Sequence, residues 1–163
     1  MLRTKGVIEY CKAARIVKQK YPEAVFNYLG AEGDLKIADI QEFISDGSIN
    51  YLGTTDDVRP FLEDCSVFIL PSYYGEGLPM SIMEAEAVGR AIITTNNVGC
   101  RDTVIDGYNG FLVEKQNVED LVNKIEAFLI DHNLLHQFGN NSHLLAARRF
   151  DQSIINEKIC SLI

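Results

Sequence analysis

Two carboxylates, Glu76 and Glu84, stand eight positions apart in the stretch YYGEGLPMSIME, residues 73–84, and the hydroxyl of Ser81 comes three positions before the second. Gly75 and Gly77 flank the first carboxylate, and residues without a Cβ let backbone amides approach a ligand closely. Pro79 suits the first turn of a helix, where its missing N–H costs nothing. Free amides around Leu78 to Ile82, at the positive end of a helix dipole, then form an anion pocket suited to a phosphate. Ser81 and Glu84 share a helix face, since residues three apart are neighbours there. With a diphosphate at the helix start, Glu84 reaches a pair of ribose hydroxyls one turn deeper and Glu76 faces the other end. The pattern suits a nucleotide diphosphate sugar bracketed by one carboxylate at each sugar.

Such a site needs a sheet to carry it. The apolar run VFIL, residues 67–70, directly precedes the motif and reads as a parallel strand covered on both faces. Open α/β sheets bind ligands beyond the carboxyl ends of their strands. Apolar spacing predicts a helix over 7–20, a strand in AVFNYLG (24–30), a helix following Asp34 to about 45 and a strand in INYLG (49–53). Thr55 or Asp56 is expected to cap a short helix ending near 64. A helix over 78–88 ends at Gly89, and strands AIITT (91–95) and FLV (111–113) follow. Helices fill the chain from about 117, with a break near 131–132 or 140–141 and a last helix from about 152. The alternation predicts one α/β domain, 1–163, built on a doubly wound parallel sheet of Rossmann-like type.

The 163 residues carry a formal net charge of −8, which argues against a nucleic-acid binder, because that affinity rests on clustered Lys and Arg. Cys11, Cys65, Cys100 and Cys160 are too scattered for a disulfide frame or a four-thiolate zinc site, which fits a reduced, cytoplasmic chain. No apolar run reaches the roughly 18 to 20 residues that span a bilayer, and MLRTK opens without the apolar segment of a signal peptide. His132, His136 and His143 fall on one helical face if the helix is unbroken, but no third ligand accompanies the pair four apart; a solvated face is expected and no metal is assigned. Glu86, in the same helix as Glu84, is expected on the solvated surface. Tyr73 and Tyr74 either stack on a ligand or cover the sheet edge.

The run LPSYYGEGLPMSIMEAEAVGRAIITTNNVGCRDTVIDGYNGFLV, with KGV near the start and YLG at 51–53, resembles the donor domain of the retaining, two-Rossmann-domain (GT-B) glycosyltransferases that include many bacterial capsule and lipopolysaccharide enzymes. Their mark is Glu, seven residues, Glu, here Glu76 and Glu84. The resemblance implies that Glu84 binds the nucleotide ribose and that Glu76 lies near the donor sugar hydroxyls and the reaction centre. It implies that Gly77, Leu78, Pro79, Met80 and Ser81 hold the distal phosphate and sugar, and that Lys5 neutralises the diphosphate. The segment of Leu52, Thr54 and Thr55 lies where the family contacts the base. The donor is expected to be a uridine diphosphate sugar, with no further cofactor and no metal. The acceptor is expected to be a glycan or lipid-linked sugar in surface polysaccharide synthesis, handled in the cytoplasm or peripherally at the inner face of the membrane. Retention in this family is attributed to front-face attack assisted by the leaving diphosphate, so Glu76 is not read as a nucleophile.

Three departures from the family pattern stand out. Gly75 and Met80 occupy positions where many relatives carry a basic residue, and Ala91 replaces a frequent proline. The chain also opens on a helix; in relatives an arginine stands five positions before the lysine matched by Lys5, preceded by the first donor-domain strand and by the N-terminal acceptor domain. The chain is therefore expected to be a donor half lacking its first strand and its acceptor domain, and inactive alone. The gap is expected to be closed by direct pairing of the neighbouring strands, by a segment of another copy or by appended residues, with self-association as the outcome. The alternative function is a non-catalytic nucleotide-sugar-binding or interaction module that needs a separate acceptor chain. A receiver-type regulator is disfavoured, because no acidic cluster follows the first strand.

Overall fold

The computed structural model describes residues 1–75 and 77–149; Glu76, Cys160 and the helix expected from about 152 lie outside the described residues. The first segment forms α1 (Val7–Lys20), with Val7, Cys11, Ala14 and Val17 buried at helical spacing. The strands expected over 24–30 and 49–53 are shorter: β1 (Asn27–Tyr28) pairs in parallel with β2 (Asn50–Tyr51). Single hydrogen bonds from Asn50 N–H to the Phe26 carbonyl and from Gly30 N–H to the Gly53 carbonyl prolong the pairing.

Between them, α2 (Ile37–Ser45) starts later than Asp34 suggested, because the Asp34 carboxylate accepts from Arg3 N–H at 2.9 Å and Asp39 turns back to Lys36 N–H at 2.7 Å. Neither Thr55 nor Asp56 caps α3 (Arg59–Asp64). Thr55 closes a turn with Asp57, and the Asp57 carboxylate accepts from Arg59 N–H at 3.1 Å.

The motif follows β3 (Val67–Leu70) and continues into α4 (Met80–Ala87). Then come β4 (Ala91–Thr95) and β5 (Gly110–Val113), and β3, β4 and β5 form a parallel sheet in that order. Alternation along β4 divides the core. Ala91 and Ile93 face the larger cluster with α1, α2 and α5 (Val118–Ile130), whereas Ile92 faces Leu62, Ile82, Ala85 and Val104 beneath α3 and α4. All five β4 residues are buried, as a covered parallel strand requires.

The chain breaks before α6 (His132–Arg149) at Asp131, whose carboxylate accepts from Asn133 N–H. It does not break at Asn140-Asn141, because Asn141 donates its amide to the Tyr108 carbonyl at 2.8 Å from within the helix.

The sheet is in two parts. Helices cover both faces and every pairing is parallel, but β1 and β2 form one pair, β3 to β5 another set, and β1 does not pair with β3. The four residues of VFIL are correspondingly only half-buried, since one edge of β3 looks into a cleft rather than onto a neighbour.

Candidate functional site at the sheet's carboxyl edge

The loop leaving β3 is fastened from two sides. Tyr73 N–H donates to the Thr4 carbonyl at 3.0 Å, and the Ser72 hydroxyl donates to the same oxygen at 3.2 Å. From the end of β4 and the turn after it, Thr94 donates to the Leu70 carbonyl at 2.7 Å, Thr95 to that of Ser72, and the Asn97 amide to that of Tyr74 at 2.7 Å. These three residues, all buried, set the height of the motif above the sheet. Sequence reasoning missed them; their signal was polar side chains at the carboxyl end of an otherwise apolar strand.

The N-terminal residues reach the same edge. Arg3–Lys5 form a single 3₁₀ turn ending at Gly6, whose φ of +76° and position against Pro71 leave no room for a side chain. That packing sets Lys5 opposite α4, where Lys5, Ser81 and Glu84 all line one cleft of about 720 Å³. Leu52 lines it too. Ser81 and Glu84 share the cleft face of α4, as their spacing predicts.

The helix itself begins at Met80, two residues later than expected. Pro79 is its N-cap rather than a first-turn residue, and the Pro79 carbonyl accepts from the N–H groups of Ile82 and Met83. The Ile82 amide is therefore engaged, which narrows the expected anion pocket to the amides ahead of it. Gly75 and Gly77 are exposed, and a Cβ on either would meet nothing within 4 Å. Leu78 and Met80 are exposed and Pro79 is buried; none of the three lines the cleft, nor do Thr54 and Thr55. Tyr74 projects into solvent, 65% exposed, while Tyr73 is half-buried.

Below its polar mouth the cleft is apolar and runs between the free edges of β1 and β3, past Tyr28, Phe61, Leu62, Cys65 and Phe68. The Tyr10 hydroxyl caps the Asn27 carbonyl at 2.9 Å. Burial pushes the Tyr28 phenol up to about 12 and raises the Cys65 thiol, so neither carries charge at neutral pH. The ionisable residues that line the cleft besides these are Lys5 and Glu84 at its mouth and Asp64 beside Cys65.

Glu86 departs from expectation. It is fully buried, two residues beyond Glu84 and so on the opposite side of α4, where the Asn109 amide donates to its Oε1 at 2.8 Å. A short helix lying on a sheet and beneath α6 buries a wide stripe, and position 86 falls inside it. His132, His136 and His143 all belong to α6, and His143 Nδ1 meets the Ala87 carbonyl at 2.8 Å. Among the described residues no group of three or more His, Cys, Asp or Glu is placed to hold a metal ion, and no helix is long and apolar enough to cross a membrane.

The family described as Glycosyl transferases group 1 matches residues 1–144. Over 97% of its length the chain is 33% identical to the N,N'-diacetylbacillosaminyl-diphospho-undecaprenol alpha-1,3-N-acetylgalactosaminyltransferase of Campylobacter jejuni, and it spans 41% of that protein. It is 27% identical to the capsular polysaccharide biosynthesis glycosyltransferase CapM of Staphylococcus aureus, covering 99% of this chain and 43% of CapM. The chain thus spans less than half the length of these relatives. Among solved structures, Anabaena Alr3699/HepE in complex with UDP superposes with a TM-score of 0.88 over 99% of this chain and 45% of its own, at 22% identity, which establishes a shared fold. Motif, architecture and similarity together make this chain a member of the group 1 glycosyl transferases, with the Rossmann-like fold of a GT-B glycosyltransferase domain.

Proposed function

We propose that the chain is the donor-binding half of a retaining glycosyltransferase, binding a nucleotide diphosphate sugar, in the first place a uridine diphosphate sugar. The observation that carries this reading is the convergence of Lys5, Ser81 and Glu84 on the mouth of one cleft at the carboxyl edge of a parallel sheet. In this reading Glu84 accepts hydrogen bonds from the ribose hydroxyls, and Leu52, with Thr54 and Thr55 nearby, borders the base. The α4 start, Ser81 and Lys5 hold the diphosphate; Gly75, Gly77, Leu78, Pro79 and Met80 shape the loop over the sugar, with Glu76 at its hydroxyls. Rate then comes from positioning and from stabilising the charge that develops on the leaving diphosphate. Two names support the donor and the acceptor class: the Anabaena structure contains UDP, and the Campylobacter enzyme is named for N-acetylgalactosaminyl transfer to a lipid diphosphate.

The transferred unit is proposed to be a hexosyl or N-acetylhexosaminyl group, and the acceptor a glycan or lipid-linked sugar at the cytoplasmic side of the membrane. Acceptor binding requires a surface beyond this domain, so the chain by itself is proposed to bind donor without turnover. The edges of β1 and β3 that face the cleft pair with no strand among the described residues; we propose that an added parallel strand, from another segment or a second copy, covers them. Sedimentation at rising concentration tests self-association, and a monomer throughout removes the second copy as the source.

Calorimetry with UDP, GDP and ADP tests the donor assignment. UDP should bind more tightly than the other two, and Glu84→Ala should weaken it; equal binding of UDP by Glu84→Ala and the parent overturns the ribose assignment.

A further inference from the structure

Glu86 is the one buried carboxylate on the helix that carries the donor-binding face. Its Oε1 accepts from Asn109 at 2.8 Å, while its Oε2 is buried with no partner among the described residues. Asn109 is itself held on several sides. Its Oδ1 accepts from Ile105 N–H at 2.8 Å, and its backbone carbonyl accepts from Ile92 N–H and from the Ser142 hydroxyl, both at 3.2 Å. Glu86 and Asn109 therefore join α4 to β4, to the connector ahead of β5 and to α6 at a single point.

Burial, rather than any neighbouring charge, disfavours a carboxylate there, and no cation is bonded to it. From α6, Arg149 favours its ionised form from a distance, but its guanidinium is turned to the Asp102 carbonyl, and His143 is bonded to the Ala87 carbonyl. Arg90, just beyond α4, is directed to the carbonyls of Val88 and Cys65. On the connector, Asp106 is acidic and occupied by Leu112 N–H, and β4 contributes no ionisable residue. A buried anion with one hydrogen bond is costly, whereas the neutral acid loses far less.

We propose that Glu86 is a positioning residue that works as the neutral acid: latched to Asn109 it seats α4 on the sheet, and its ionisation loosens the helix that presents Ser81 and Glu84. Burial accordingly raises the carboxyl from 4.5 to about 7. The folded state then binds a proton that the unfolded chain has released. This contribution to stability is complete below about 4.5, declines as pH rises and is gone above about 7. The functional half of this inference rests on the donor-binding reading; the stability half does not.

Two measurements on the full chain across pH 4.5 to 9 test it: urea unfolding and calorimetric titration with UDP, each for the parent and Glu86→Gln. The glutamine keeps the shape and cannot ionise. Its folding equilibrium should match the parent's at the acid end and exceed it above pH 7 by on the order of a few hundredfold, the shift from 4.5 to about 7 expressed as a ratio. UDP affinity of the parent should fall with pH relative to that of Glu86→Gln, a comparison that cancels titration of the UDP phosphate. A parent that takes up no proton on folding near pH 6, measured without any variant, overturns the latch. So does a Glu86→Gln protein with the parent's pH slope. If the stability difference holds but UDP affinity keeps the same pH dependence in both, the positioning role is wrong. If UDP binds neither protein at any pH, the donor reading fails and the unfolding data still decide whether Glu86 is a latch.

Discussion

Gly6 lies directly on Pro71: a Cβ added to Gly6 would stand 2.2 Å from the Pro71 carbonyl oxygen, and Gly6 has a φ of +76°. This contact between the N-terminal turn and the end of β3 is what brings Lys5 to the cleft. Gly6→Ala should cost about 3 kcal/mol, combining the left-handed penalty with overpacking against backbone. Gly47→Ala is the control, because Gly47 has the same φ but open space around it. It should cost about 1 kcal/mol, and urea unfolding separates the two.

Glu84 is exposed at the mouth of the cleft, so its replacement should spare the fold. Glu84→Gln is expected to change stability by less than about 0.5 kcal/mol while weakening UDP by roughly 10- to 100-fold, the worth of hydrogen bonds to a charged group. Thermal unfolding and calorimetry on the same preparation read both quantities.

Asn97 contributes through the loop it holds. Removing its amide in Asn97→Ala frees the Tyr74 carbonyl and should lower stability by about 1 kcal/mol. UDP-sugar affinity should fall more than UDP affinity, because the released loop lies toward the sugar in the proposed mode of binding. Paired titrations with UDP and UDP-glucose check the difference.

The thiols should report the cleft. Cys11 is fully buried, and desolvation pushes it up to about 12, whereas Cys65 is half-buried on the cleft wall. In a Cys160→Ser background, a thiol reagent at pH 8 should modify Cys65 first, with Cys11 at least about 100-fold slower until the chain unfolds. Mass spectrometry of timed digests gives the order.

Much of this was legible because period and burial coincide. The apolar spacing of residues 7–20 matches α1 end to end, and VFIL and AIITT are strands as read. The position of Ser81 and Glu84 on one face follows from helix geometry alone. What was not legible depends on tertiary neighbours. Glu86 looks like a surface residue until α6 is placed over it, and Asn140-Asn141 reads as a break until Asn141 finds the Tyr108 carbonyl. The strands β1 and β2 are two residues each with single hydrogen bonds beyond them, and where a ladder stops is set by the partner's path rather than by apolar spacing.

The division of the sheet also governs how the molecule breathes. Amides at the heart of β4, bonded within a three-stranded set, should exchange with solvent only on global unfolding, whereas those of β1 and β2 should open in local fluctuations of much lower free energy. A strand seated in the cleft would tie the two hydrogen-bonded sets together. The deuterium uptake of Asn27 and Tyr28 is therefore a built-in gauge of whether the cleft edge is paired.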